Sequence, residues 1–238
     1  DAGFDKENLL IINRISDPLV MGQAEILKQR MLGHPDIIDA TLSSVVPADN
    51  MVALVGFGNV NGIQGDPILL RIESIDPSYL STYGIQIDAG RNLTVDRGDD
   101  VAIFYGQEIK DNNILINQSA VAKLGFASAE DALGKQLIDD AAYTIVGVIP
   151  DLYLQTTRDS TNPTMYYIDQ EFYYKLTVKI ATNDIETLLS DINEIWSDLF
   201  PQVPFSHTFL DDKIMEQYKA DQDQGQLFLL FAGLAIII

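Results

Sequence analysis

The chain has 238 residues, of which 47% are hydrophobic and 21% are charged, and its formal net charge is −20 at pH 7. This length and composition fit one large folded domain or two smaller ones and exclude a disordered chain. The acidic charge argues against nucleic acid or an anionic membrane surface as a partner, because both repel it. Without cysteine, the chain has no disulfides or thiolate metal sites, which fits a reducing compartment or a bacterial envelope domain.

The first part of the chain predicts the element order βαββ. Residues 8–15 have the apolar density of a strand, and Asp17 with Pro18 supplies an N-cap and a first helical residue. The helical apolar spacing that follows lasts to about Leu32, with Gly33 as the stop. Residues 37–44 and 68–75 are predicted strands, separated by a Gly- and Asn-rich stretch that is either a long loop or an irregular hairpin.

A β-α-β pattern returns near residue 174. Residues 174–180 alternate as a strand, and Asn183 with Glu186 resembles a capping box. The helix that follows has an apolar stripe, and residues 205–210 predict a last strand. Because neither unit can bury its helix alone, we predict that both share one sheet with their helices on one face. Residues 1–75 and 172–210 are therefore interpreted as one α+β subdomain.

The middle of the chain predicts a β-rich insertion over residues 76–171. Short strand signals alternate with turns and with two helical pieces, at residues 118–124 and 129–133. The strand signals lie at residues 85–88, 101–105, 113–116, 143–149 and 165–168.

The C-terminal residues 211–238 predict a stalk helix that runs into a membrane helix. Residues 227–238 (LFLLFAGLAIII) hold no polar side chain, and the polar, helix-prone residues 211–224 precede them. Twelve apolar residues are too few to span a bilayer, which needs about 20, so we expect only the start of a transmembrane helix here. The chain also lacks an initiator Met, and we expect it to be part of a longer protein.

Four segments and their order carry a resemblance to a known family: residues 83–93 (YGIQIDAGRNL), 114–137, 143–154 (YTIVGVIPDLYL) and 200–210 (FPQVPFSHTFL). The chain resembles the MacB-like periplasmic core domain of FtsX-type ABC transporter permeases, in its Bacteroidetes-like form. The resemblance implies a periplasmic domain of the bacterial inner membrane, between the first and second transmembrane helices. It also implies a split porter subdomain with an inserted sabre subdomain, which agrees with the division above.

The function that the resemblance implies is not enzymatic. The domain would transmit a conformational change, driven by a separate cytoplasmic ATPase, so that substrate is exported or released across the envelope. The implied partners are that ATPase, reached through the full-length permease, a second permease copy in a dimer, and a periplasmic adaptor or substrate protein.

Several motif positions predict structural roles. Asn117 is placed as the N-cap of the helix that follows it, and Arg91 as a packing or ion-pair residue. Three glycines predict turns or helix ends, and Gly147 predicts a strand position that another backbone approaches closely. The three are Gly90, Gly125 and Gly134.

We predict no catalytic, cofactor-binding or metal-binding residue. His34 and His207 have no nominated partners, and residues 56–62 (GFGNVNG) lack the spacing and the cation of a phosphate-binding loop. The acidic pairs are interpreted as solvated loop or cap residues; they are Asp99-Asp100, Asp139-Asp140 and Asp211-Asp212.

Two alternative functions remain open from the residues alone. One is a membrane-tethered periplasmic ligand-binding or sensor domain, which requires a pocket with convergent polar groups. The other is an envelope hydrolase, which requires a clustered nucleophile and base. Residues 166–167 and 172–174 are rich in aromatic side chains and form either a contact surface or buried strand positions.

Overall fold

The computed structural model describes residues 4, 7–47, 49, 53–102, 111–139, 141–152 and 162–215. Its strands are β1 (Leu9–Ile12), β2 (Ile37–Ser43), β3 (Leu54–Val60), β4 (Ile63–Ser74), β5 (Ala89–Gly90), β6 (Asn112–Asn117), β7 (Gln136–Ile138), β8 (Ala142–Ile149), β9 (Thr164–Tyr167), β10 (Lys175–Ile180) and β11 (His207–Phe209). Its α-helices are α1 (Ala24–Leu32), α2 (Tyr79–Thr82), α3 (Gln118–Lys123), α4 (Ala129–Ala132) and α5 (Ile185–Leu199).

One sheet has four antiparallel strands in the order β11-β1-β10-β2. Because side chains alternate along a strand, Leu10 and Ile12 of β1 face one side while Leu9 and Ile11 face the other. The first side packs against α1 and α5, and the indole of Trp196 is fully buried there. The helices of the two β-α-β units therefore lie on one face of a shared sheet.

The second sheet has seven strands in the order β5-β8-β6-β9-β4-β3-β7 and closes on itself, because β7 also pairs with β8. Closure removes most of the exposed edge that an open sheet of this size would have. Inward residues such as Phe57, Ile114 and Tyr143 fill the barrel together with residues of α3 and α4.

A third core lies between the two sheets. It joins Leu9 and Ile11, on the back of the four-stranded sheet, to Leu115 and Tyr166 of the seven-stranded sheet. The short helix α2 contributes Tyr79 and Leu80 to this core.

The structure corrects the predicted position of the strand at residues 68–75. This strand is β4, and it lies in the seven-stranded sheet, where it pairs in parallel with β9 and antiparallel with β3. The Gly- and Asn-rich stretch before it is the hairpin β3–β4, which turns at Asn61 and Gly62.

Other element boundaries also differ from the predictions. Helix α1 begins at Ala24, because Asp17 bonds the Leu19 amide in a preceding turn and does not cap the helix. The N-cap of α5 is Asp184, whose carboxylate accepts from the Thr187 amide, so the predicted capping box at Asn183 is wrong. Residues 85–88 are not a strand, and pairing starts at Ala89.

Residues 210–215 begin a helical segment directly after β11. The rest of the predicted stalk and the apolar residues 227–238 lie outside the described residues. No helix within the described ranges combines the length and the apolar composition needed to cross a bilayer.

Candidate functional site

The junction between the two sheets contains a buried hydrogen-bonded carboxylate. Asp76 follows β4 and is 3% exposed; its Oδ2 accepts from Lys28 Nζ of α1 at 2.5 Å and from the Leu42 amide of β2 at 2.9 Å. Its Oδ1 accepts from the Thr41 hydroxyl at 2.5 Å. Burial raises the pKa of Asp76, although these partners, Lys28 first, oppose the rise. One side chain thus fixes α1 and β2 to the start of α2.

A second group of charges lies at the end of the junction beside residues 210–215. Glu73 Oε1 lies 2.7 Å from Arg71 Nε, in an ion pair whose N–H does not point squarely at the oxygen. Arg71 Nη2 lies 3.5 Å from the carbonyl oxygen of Asp49, and the Asp49 carboxylate forms an ion pair with Lys213. Burial raises the pKa of Glu73 to about 7, with Arg71 lowering it and Asp49 raising it further.

Three tyrosines surround Glu73 and fill the junction. The rings of Tyr79 and Tyr83 are 4.8 Å apart between centroids, and those of Tyr79 and Tyr166 are 6.4 Å apart. Burial raises the pKa of all three phenols. The Tyr83 hydroxyl bonds Thr177 of β10, whereas the buried Tyr79 hydroxyl has no hydrogen-bond partner among the described residues.

The structure corrects the interpretation of Asp100 as a solvated residue. Asp100 is fully buried, and its two carboxylate oxygens accept from the two terminal nitrogens of Arg91 at 2.7 and 2.9 Å. Burial alone would raise the pKa of Asp100, but hydrogen bonds from Arg91, Asn113 and the Thr94 amide lower it below its ordinary value. The ion-pair role predicted for Arg91 is confirmed.

The predicted backbone roles are confirmed at Asn117 and Gly147. Asn117 Oδ1 accepts from the Ala120 amide and caps α3. A Cβ atom on Gly147 would lie 2.3 Å from the carbonyl oxygen of Arg91, so only glycine fits where β5 meets β8. Both features shape the barrel.

The two histidines take part in separate local contacts. His34 Nε2 lies 3.1 Å from Asp191 Oδ2 of α5, and the His207 ring stacks on Phe205. Gly56 and Gly58 lie within β3, so residues 56–62 form part of a hairpin. Tyr166, Tyr167 and Tyr173 are buried, and burial therefore explains much of the aromatic pattern.

Within the described residues, no group of three or more His, Asp or Glu side chains is placed to share a metal ion. An open cleft of about 450 Å³ lies between the β3–β4 hairpin and Pro163. Leu54, Leu69 and Pro67 line it, with Arg71 and Lys123 as cationic groups.

Sequence reasoning missed the junction residues Asp76 and Glu73. Asp76 precedes Pro77 at the end of a strand and has the local signature of a turn, and its partner Lys28 is 48 residues away. An Asp-Pro-Ser sequence directly after a strand was the signal that could have drawn attention to it.

Comparisons with known proteins agree on one family. Residues 2–195 match the family described as MacB-like periplasmic core domain. No curated protein matches the chain.

Three solved structures share the fold. The periplasmic region of MacB from Actinobacillus actinomycetemcomitans aligns with a TM-score of 0.59 and 15% identity, covering 91% of this chain and 94% of that one. The extracellular domain of the ABC-type transporter YknZ from Gram-positive bacteria aligns with a TM-score of 0.54 and 12% identity, covering 84% and 100%. A domain of a putative permease protein from Porphyromonas gingivalis aligns with a TM-score of 0.52 and 17% identity, covering 87% and 92%. The family match places the chain in the MacB-like periplasmic core domain family of ABC-type transporter permeases, and the three structures show the same fold.

Proposed function

We propose that this domain is a non-enzymatic, periplasmic mechanical element of an inner-membrane ABC transporter permease. A separate cytoplasmic ATPase drives a conformational change in the permease. The domain transmits that change and thereby exports or releases substrate across the envelope.

The buried junction is the observation that carries the proposal. Force passes between two structural units only if they are joined by an interface that resists separation. Here the Asp76 hydrogen bonds fix α1 and β2 to the chain that leaves β4, and an apolar core fills the space between the sheets. Opening this junction would break the Asp76 hydrogen bonds and expose the apolar core between the sheets to water, and both changes are unfavourable. The domain therefore moves as one body.

The proposed path to the membrane runs through residues 210–215. Leu210 and Ile214 are buried in the junction core, so displacement of this segment acts on both sheets. We propose that the apolar residues 227–238 lie in the bilayer as the start of a transmembrane helix. The proposed partners are the cytoplasmic ATPase, a second permease copy, and a periplasmic adaptor or substrate protein.

The motion can be measured in the full-length permease reconstituted with its ATPase. Leu54 is 56% exposed, so Leu54→Cys accepts one spin label per copy once any cysteines elsewhere in the permease and the ATPase have been replaced. We expect the distance between the labels of the two copies to change when ATP binds, and an ATPase variant that cannot bind ATP should abolish the change. The distance between labels at Ile38 and Leu54 of one copy should stay constant. An ATP-independent distance between the copies would refute the proposal.

Coupling can be tested at Asp76 in the same preparation. Asp76→Asn removes the negative charge opposite Lys28, and we expect less substrate transported per ATP hydrolysed. Asp198→Asn removes the exposed ion pair with Arg30 and serves as the matched control. Equal transport per ATP in both variants would show that the junction does not transmit the motion.

The alternative function, a membrane-tethered ligand-binding or sensor domain, is favoured by one observation. The cleft beside the β3–β4 hairpin places Lys123 next to the apolar Leu54 and Leu69, which suits the charge and the apolar part of an organic anion. Asp66 also lines the cleft and Arg71 is paired with Glu73, so Lys123 is the residue that the test addresses. A small organic anion that raises the melting temperature of the chain, with the effect abolished by Lys123→Ala, would support this function.

A further inference from the structure

The helical segment at residues 210–215 is held on the junction in two ways. Leu210 and Ile214 pack into the apolar core between the sheets. Lys213, whose side chain is 23% exposed, forms an ion pair with the partly buried Asp49. The apolar contacts do not depend on charge, whereas the ion pair does.

The ion pair belongs to a row of four charges of alternating sign. Lys213 contacts the Asp49 carboxylate, Arg71 reaches the Asp49 main chain, and Arg71 pairs with Glu73. The side chains of Arg71 and Glu73 are 13% and 9% exposed, so water screens their charges weakly.

Glu73 is the member of the row whose charge changes near neutral pH. The groups that face it are Arg71 on its own strand, Asp49 from the loop after β2, Tyr79 on α2, Tyr83 just after α2, and Tyr166 of β9. Arg71 is the cation among them, and its pairing geometry with Glu73 is poor. Burial, the largest cause, raises the pKa of Glu73 to about 7.

We propose that Glu73, Arg71, Asp49 and Lys213 form an acid-released latch that holds residues 210–215 against the junction. The latch adds regulation to the coupling role proposed above and rests on that role for its consequence in transport. The latch itself is a property of this chain and is measured without the ATPase.

Release follows from the loss of the counter-ion of Arg71. A guanidinium keeps its charge at all relevant pH values, so protonation of Glu73 removes the negative charge that holds Arg71 beside it and frees the guanidinium to pair elsewhere. Arg71 Nη2 already lies 3.5 Å from the main chain of Asp49, so the Asp49 carboxylate is the replacement within reach. Lys213 then loses its partner and turns its ammonium group to water, and the segment keeps only its apolar contacts.

A spin-label experiment on the 238-residue chain in detergent micelles tests the latch. Labels at Met215→Cys and Leu69→Cys, which are 57% and 55% exposed, report the position of the segment relative to β4. For one group with a pKa of about 7, the charged fraction falls from about 97% at pH 8.5 to about 3% at pH 5.5. We expect a narrow distance distribution at pH 8.5 that broadens to longer distances at pH 5.5, with its midpoint near pH 7.

Three variants and one further label pair make the outcome decisive. Glu73→Gln should give the broad distribution at both pH values, and so should Lys213→Met. Lys213→Met keeps the buried pair of Arg71 and Glu73, so it still tests the latch if the Glu73→Gln variant fails to fold. Asp198→Asn should behave as the natural chain does, and labels at Ile38 and Leu69 should report no change with pH. A distribution in the natural chain that is the same at both pH values, or narrower in acid, overturns the latch, as does a pH response retained in Lys213→Met.

Discussion

At the scale of single residues, Glu73 should make the stability of the domain depend on pH. Its pKa in the folded state is about 7, against an ordinary value of 4.5. Because the folded state favours neutral Glu73, this residue adds to the free energy of unfolding at low pH. Its contribution is fully present below about pH 4.5 and is lost as the pH rises through 7. The shift corresponds to a contribution on the order of 3 kcal/mol, all of it lost above pH 8. Urea unfolding at pH 5 and pH 8 measures it.

The matched variant for this measurement is Glu73→Gln. It removes the titrating group but keeps the side-chain shape. The difference in unfolding free energy between pH 5 and pH 8 should therefore shrink by about 2.5 kcal/mol, since part of the full contribution is already lost at pH 5. Any constant cost of leaving Arg71 without a carboxylate cancels in that difference. An unchanged difference would mean that Glu73 ionises normally in the folded protein.

Residues differ in how well local sequence predicts their role. Asn117 and Gly147 were predictable because a helix cap and a close backbone approach depend on neighbouring residues and on the absence of a side chain. The roles of Asp76 and Glu73 were not predictable, since charged residues are mostly exposed and only tertiary partners bury them. The prediction that Asp100 is solvated was wrong for the same reason, because Arg91, Asn113 and the Thr94 amide enclose its carboxylate.

At the scale of elements, Asn117 at the start of α3 should contribute strongly to the stability of the domain. Its Oδ1 accepts from the amides of Ala120 and Thr164, and its Nδ2 donates to the carbonyl of Asn162, so one buried amide joins β6, α3 and β9. Asn117→Ala leaves these buried groups unpaired and should lower the free energy of unfolding by about 2 to 3 kcal/mol.

The control for this variant is a helix cap at the surface. Asp184 caps α5 in an exposed position, where water replaces the lost bond, so Asp184→Ala should cost about 1 kcal/mol. Chemical denaturation of both variants gives the comparison. Equal costs would show that Asn117 acts as a cap alone and does not tie β9 to the barrel.

Most strands could be predicted because they are long, apolar and bounded by turns. The predicted residues 143–149 and 174–180 correspond closely to β8 and β10. The two-residue strand β5 could not be found this way, since it exists through its pairing with β8 and carries no pattern of its own. The start of α1 was misplaced because Asp17 and Pro18 favour an isolated turn as much as a helix start.

At the scale of the whole molecule, sequence order misled the assignment of β4. This strand is the second strand of the hairpin that follows the first β-α-β unit, so proximity in the chain placed it in the same subdomain. Its parallel partner β9 lies about 90 residues later, and no local signal encodes such a pairing. The shared sheet of the two β-α-β units was predictable because each unit exposes an apolar helix face that must be covered.

The four-stranded sheet is built from two distant parts of the chain, and this predicts which fragments fold. In the order β11-β1-β10-β2, strand β10 lies between β1 and β2. Residues 1–75 alone lack this central strand and the helix α5, so we expect them to give no cooperative thermal transition by circular dichroism. Residues 7–45 joined by a short linker to residues 172–210 keep all four strands and the core around Trp196, and should melt cooperatively.

The joined chain should be less stable than the whole domain but still folded. Removing the barrel exposes Leu9 and Ile11, whereas Thr41, Ser43 and Thr177 on the same side of the sheet are polar and tolerate water. Lys28 loses Asp76 but gains solvent, so it is not left as a buried unpaired charge. A cooperative melt of residues 1–75, or its absence in the joined chain, would contradict the division into a split α+β unit and an insertion, and would make the two sheets a single folding unit.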